Sequence, residues 1–189
     1  CGDWFACQVY DVEPDILCMA KGVTSAYLPL GVVAMTDEIA SSFDNRMFSG
    51  GLTYSGHPMC LAAAVATLNV MEEEKIIDNT QKMGVVLRRC LERMKEKHPS
   101  VGDVRSVGLF GGMELVKNRK TKEPLAPYNG SHPAIVEMNR FLRENGVFCF
   151  MAWNIFHTNP PLIITEEQIE ETFEVIDQAL NFCDNAYEG

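Results

Sequence analysis

Short continuous apolar runs mark the first part of the chain, and helical periodicity marks the rest. Ile16 to Ala20 is an apolar run bounded by Pro14 and Gly22, the pattern of a strand buried on both faces of a mostly parallel sheet. Gly31 to Met35 predicts a second strand, followed by a short helix near Asp37 to Ala40 and a glycine-bearing loop at Ser49-Gly50-Gly51. A helix is expected from Pro58 to about Glu74, because a proline in the first turn has no amide bond to lose. Its centre, Leu61 to Ala66, is apolar on nearly every side, which predicts burial between layers.

From about Lys75 the pattern becomes that of a smaller α/β unit. Ile77, Met83, Val86, Leu87, Cys90, Leu91 and Met94 fall near one stripe of a long helix, Ile76 to Lys97, that stops before Pro99. Strands are expected around 103–107 and 109–116, then a solvated polar loop at 117–124. A helix near Ala134 to Asn145 should end at Gly146. Strands at Val147 to Met151 and near Leu162 to Ile164 follow, with Phe148, Phe150 and Met151 read as core at strand spacing. The last helix runs from Glu166 to about Cys183, with Thr165 as its N-cap and Gln168 completing a capping box.

Composition narrows the function classes. Of the 189 residues, 47% are hydrophobic and 22% charged, which suits a folded globular protein rather than a disordered one. The formal net charge of -10 argues against nucleic acid, whose phosphates need clustered Lys and Arg. No apolar run approaches the roughly 18 residues of a membrane span, and the first residues lack the regions of a signal peptide. A cytoplasmic protein is expected. The seven cysteines are scattered without a Cys-x-x-Cys pair, so neither a disulfide framework nor a metal site is indicated.

Lys21 is the chief chemical candidate. It ends the Ile16–Ala20 strand and precedes Gly22, where ligands of open α/β sheets bind, beyond the carboxyl ends of strands. In a partly dry site an amine loses proton affinity and can condense with a carbonyl to form a Schiff base. The neighbours Ala20 and Gly22 leave room for a planar cofactor. Taken alone, a lysine in this place also fits a plain solvated cation.

The surrounding blocks decide between these readings. Pro14-Asp15-Ile16, Ala20-Lys21-Gly22-Val23-Thr24-Ser25, Tyr27-Leu28-Pro29-Leu30-Gly31 and Thr53-Tyr54-Ser55-Gly56-His57-Pro58 resemble, in order and spacing, the class III aminotransferases, which use pyridoxal 5'-phosphate. Trp4-Phe5-Ala6, Val104 to Phe110 with Met113-Glu114-Leu115, and Pro160-Pro161-Leu162 with 164–168 extend the resemblance over nearly the whole chain. It implies an α/β protein of fold type I: a partial large domain with a mostly parallel sheet over residues 1–75, and a smaller C-terminal α/β domain over 76–189. The chain then reads as the C-terminal portion of a longer subunit, inactive by itself.

By resemblance, Lys21 holds the cofactor as an aldimine and shuttles the proton at the substrate α-carbon. Thr53 reaches the cofactor phosphate of a neighbouring subunit, which implies a homodimer with shared active sites. Many members place an arginine before the Pro-Pro-Leu motif to grip a substrate carboxylate; here Met151 to Asn159 contain none, and no Arg or Lys follows Arg143. Neither histidine nor asparagine replaces that bidentate fork. Trp153 and His157 are the candidates for substrate contact in its place, and an amine or ω-amino acid is the expected donor to a keto acid or aldehyde. The same fold also serves aminomutases, epimerases and decarboxylases, and a non-catalytic dimerisation remnant is the reading from another class.

Overall fold

The computed structural model describes residues 1–189. Two compact units are distinguished, one of Phe5–Ile77 and one of Asp78–Gly189 together with Cys1–Trp4.

The unit of Phe5–Ile77 contains α1 (Ala6–Val9), β1 (Ile16–Ala20), β2 (Gly31–Met35), α2 (Asp37–Ser41) and α3 (Pro58–Glu73). β1 and β2 pair antiparallel, in register from Ile16 opposite Met35 to Ala20 opposite Gly31. The mostly parallel sheet expected from the apolar runs is therefore not formed by these strands. The physical reason is the connection: residues 21–30 are too few for a parallel crossover, which takes about a dozen or more residues. Nor are the strands buried on both faces, since Ile16 is 51% and Val33 57% exposed. α3 begins as expected, with His57 as N-cap and Pro58 in the first turn. Its all-round apolar surface is covered only in part: Ala64 is buried, while Val65 and Met59 are exposed.

The other unit contains α4 (Ile76–Lys97) from Asp78 onward, β3 (Val101–Val107), β4 (Phe110–Asn118), β5 (Glu123–Pro124), α5 (Pro133–Glu144), β6 (Phe150–Ala152), β7 (Ile155–Thr158) and α6 (Glu166–Asp184). Its sheet runs β3-β4-β7-β6 with β5 on the flank of β4, and every pair is antiparallel. The predicted stripe of α4 is buried at Leu87, Cys90, Leu91 and Met94, together with Met113, Leu115 and Phe156 of the sheet and Met138, Leu142, Ile176 and Leu180 of α5 and α6. Each fully buried Leu, Ile, Met or Phe contributes roughly 1.5–3 kcal/mol of transfer free energy.

Caps account for the helix ends. The Thr165 hydroxyl accepts from the Gln168 amide and the Gln168 side chain accepts from the Thr165 amide, closing the capping box. α5 stops at Gly146 with φ 79, where the amides of Gly146 and Val147 return to the carbonyls of Arg143 and Leu142. The β3–β4 hairpin turns on Gly108 and Leu109 with φ positive only at Gly108, the pattern of a type II′ turn.

Two predicted strands are corrected. Leu162 to Ile164 is a turn rather than a strand, because Pro160 and Pro161 remove two amide donors from a ladder. The strand expected from Val147 begins only at Phe150. Phe148 and Phe150, read as core, are 76% and 63% exposed: Phe148 precedes β6, and Phe150 lies on β6, the last strand of the sheet.

Candidate active site

Lys21 sits at the carboxyl end of β1, where the chain leaves the ribbon and winds into a single 3-10 turn, Gly22–Thr24. Its backbone has φ 55 and ψ -77, a combination that L-residues avoid, at a cost of order 1–3 kcal/mol that is tolerated only where neighbours over-determine it. They do. The Lys21 carbonyl accepts from the Thr24 amide (3.2 Å) and the Ala26 amide (2.9 Å), while the Ser25 amide donates to the Gly22 carbonyl (3.1 Å). These six-to-one and five-to-two bonds are the Schellman pattern, with Ser25 in the left-handed region at φ 50. The turn packs against α3.

Lys21 is exposed, so the dry surroundings expected for its amine are not supplied by these residues. On its Gly22 side the space is open: a Cβ added there would meet nothing within 4 Å.

Thr53 lies in the same unit, at an exposed corner of the turn Leu52–Ser55 that leads into α3. The Ser55 amide donates to the Leu52 carbonyl (3.0 Å), and the Leu52 amide returns to the Ser55 hydroxyl (3.3 Å). His57, the N-cap, makes no side-chain capping bond, and its Nδ1 is a buried nitrogen without a partner. An orphaned ring nitrogen and an accessible hydroxyl at the start of a 16-residue helix form a donor set suited to an anion. An exposed primary amine at the end of β1 and, separately, an exposed hydroxyl ahead of α3 are the group types an aldehyde cofactor carrying a phosphate would use, the second in a neighbouring copy.

Trp153 and His157 belong to the other unit and are not brought together there. Trp153 is the first of two residues in the β6–β7 turn, with φ 45 where a type II′ turn favours glycine. Its ring meets Tyr128 edge-on at 4.7 Å between centroids. His157 stands on β7 opposite Phe150, with ring centroids 5.3 Å apart. It lines the rim of a cavity of about 470 Å³ whose walls include Leu87, Phe148, Phe150, Pro160, Ile169 and Phe173. Thr158, on the same wall, has a buried hydroxyl oxygen without a partner. Cys149 also lines it; burial pushes its thiol up to about 11, which keeps it neutral at pH 7 and a poor nucleophile.

Two features escaped the sequence. Thr24, whose hydroxyl donates to the Leu28 carbonyl at 2.7 Å, carried no signal beyond its place in a motif. Arg119, expected in a solvated loop, instead donates to the carbonyls of Lys95, His98 and Val101, in and just beyond the last turn of α4. A cation there offsets the negative end of the helix, and no local pattern joins residues so far apart in sequence.

Comparison with known proteins identifies the family. The sequence pattern of the family described as Aminotransferase class-III matches residues 1–180. Taurine--pyruvate aminotransferase of Bilophila wadsworthia is 35% identical over 98% of this chain and 42% of its own length. Isoleucine 2-epimerase of Lentilactobacillus buchneri is 34% identical over 96% of this chain and 39% of its own length. The solved taurine:2-oxoglutarate aminotransferase of Bifidobacterium kashiwanohense, in complex with PLP and glutamate, superposes with a TM-score of 0.91 at 38% identity, over 97% of this chain and 41% of that one. The chain thus spans about two-fifths of the length of these relatives. Its fold is the α/β fold type I of the pyridoxal-phosphate-dependent transferases. With the match extending from the lysine turn through most of α6, the chain belongs to the class III aminotransferases.

Proposed function

We propose that this chain is the lysine-bearing part of a pyridoxal-phosphate-dependent aminotransferase that moves an amino group from an amine or ω-amino acid to a keto acid or aldehyde. The observation that carries the proposal is Lys21, an accessible amine at the end of β1 held by a doubly bonded turn, in a chain matched to the family over residues 1–180. When bound, the cofactor supplies the electron sink. Lys21 holds it through Nζ and moves the proton at the substrate carbon. Thr53 offers its hydroxyl to a phosphate, in a homodimer whose two sites share this loop. A cytoplasmic location belongs to the same proposal.

The donor class is supported by the residues after Arg143, where no Arg or Lys offers a fork to an α-carboxylate. His157, its ring tilted against that of Phe150, offers no bidentate partner. Two of the similar proteins are named for taurine, an amine without a carboxylate. Similarity to isoleucine 2-epimerase favours a second reading, in which the same lysine inverts a stereocentre.

The test uses the full-length protein with pyridoxal phosphate. Incubation with taurine or a simple amine and a keto acid is expected to consume the keto acid and release the new amino acid. Borohydride should fix the cofactor on Lys21. Inversion of an amino acid without keto-acid consumption would replace transfer by epimerisation, and tight use of α-amino acids with the carboxylate held by a residue of 150–160 would refute the donor class.

A further inference from the structure

Thr24 is the most buried residue of the Phe5–Ile77 unit, at 1% exposure; the other buried residues there, Ala64 and Ile76, are apolar. A buried hydroxyl is costly unless bonded, and this one donates to the Leu28 carbonyl at 2.7 Å. Its own amide donates to the Lys21 carbonyl at 3.2 Å, and its carbonyl accepts from the Tyr27 amide at 3.0 Å. Thr24 therefore ties both ends of the 21–28 loop, one through its main chain and one through its side chain.

Lys21 at φ 55 and ψ -77 and Ser25 and Ala26 at φ 50 and 60 place three side-chain-bearing residues of one short loop in a region such residues avoid. A conformation of that kind persists only where surrounding bonds over-determine it. Of these bonds, the one made by a side chain inside the fold is that of Thr24. Without it, Leu28 loses its anchor, the turn relaxes, and rotation about Lys21 φ and ψ swings the Cα–Cβ direction from which the amine is presented.

Resting on the assignment of Lys21 above, we infer that Thr24 is a positioning residue for the Lys21 amine, its buried hydroxyl holding the strained turn that aims the lysine. Its hydroxyl is taken up by the Leu28 carbonyl, so it acts on the lysine through the turn rather than by contact. Its effect is transmitted through the Lys21 backbone alone.

The test compares wild type, Thr24→Val, which replaces the hydroxyl with a methyl, and Thr24→Ser, which keeps the hydroxyl, in the full-length protein. With cofactor stripped, amide exchange at Thr24 and Ala26 is expected to quicken by about tenfold or more in Thr24→Val, while the amides of α3 keep their protection. Pyridoxal phosphate is then titrated, fixed with borohydride and counted on the Lys21 peptide by mass spectrometry. Because apparent affinity falls in proportion to the fraction of molecules holding the competent turn, half-saturation should rise by about tenfold or more in Thr24→Val. Thr24→Ser should return it to within about threefold of wild type.

Unchanged exchange and half-saturation in Thr24→Val overturn the inference while leaving Lys21 in place. A wild-type protein that holds no cofactor at Lys21 overturns the assignment of the lysine, and the inference with it. Should Thr24→Val fail to fold, Thr24→Ser decides: wild-type half-saturation and exchange at the turn support the hold, and a loss of about tenfold overturns it.

Discussion

At Lys21 a chemical demand and a conformational cost fall on the same residue. On the proposed role the amine projects from the end of β1, and the backbone that projects it lies at φ 55, ψ -77. Glycine relieves that strain and alanine does not, so Lys21→Gly should be more stable than Lys21→Ala by about 1 kcal/mol despite the extra entropy glycine loses on folding. Equal denaturation midpoints would show that the turn is not strained. For turnover the two should be alike: removal of the amine is expected to lower transamination by on the order of a thousandfold or more. Exposure of Lys21 was the part of this site that the sequence could not tell, because an apolar strand before a lysine says nothing about what covers either of them.

Among the elements, α4 shows how a weak propensity yields to a tertiary contact. Alanine is favoured over glycine inside a helix by about 0.8–1 kcal/mol, yet a Cβ at Gly84 would lie 2.7 Å from the Cα of Gly108 in the β3–β4 turn. Neither backbone can yield cheaply, and overpacking costs typically 1–3 kcal/mol. Gly84→Ala is therefore expected to destabilise by about 1 kcal/mol net; a rise in melting temperature would show the helix and turn free to part. The other end of α4 makes the reverse case. Arg119→Ala should cost about 1–2 kcal/mol, since it uncaps the carbonyls of Lys95 and His98 beside a helix terminus, whereas substitution of a truly solvated loop cation would cost almost nothing.

Over the whole molecule, charge is arranged so that acid loosens it. His98 is buried between two carboxylates, with Nδ1 2.7 Å from Asp184 and Nε2 3.0 Å from Asp177, and the Ser100 hydroxyl donates to Asp184 at 2.6 Å. Arg89 and Arg93 of α4 clasp Glu170 of α6 at 2.8 Å each. The Arg93 and Arg89 guanidiniums hold the Glu170 carboxyl below its ordinary range, and Lys95 does the same for Asp103. At Asp177 burial pushes upward, but hydrogen bonds from Lys97 and His98 outweigh it and the net shift is downward. Folded values below unfolded ones mean that the unfolded chain binds more protons in acid. This stabilisation is full above the unfolded carboxylate range near pH 4 and is lost as pH falls through the lower folded values. Urea midpoints measured from pH 7 to pH 3 should hold level and then drop, more shallowly in Glu170→Gln. A profile indifferent to acid would remove the carboxylates from the account. Because these groups are only partly buried, added salt should blunt the drop.

The sequence by itself determined what short-range physics decides. α4 and α6 were legible because their apolar stripes repeat every turn and their caps lie within a few residues of the ends. Lys21 and Thr53 stand out as candidates because ordered blocks of residues surround them. Only the tertiary structure decided that β1 and β2 run antiparallel, that Phe148 and Phe150 are left exposed, and that Arg119 caps a helix ending some twenty residues earlier. The reason is common to all three: periodicity and capping are written between near neighbours, whereas pairing direction and burial depend on surfaces that meet only after the chain has folded.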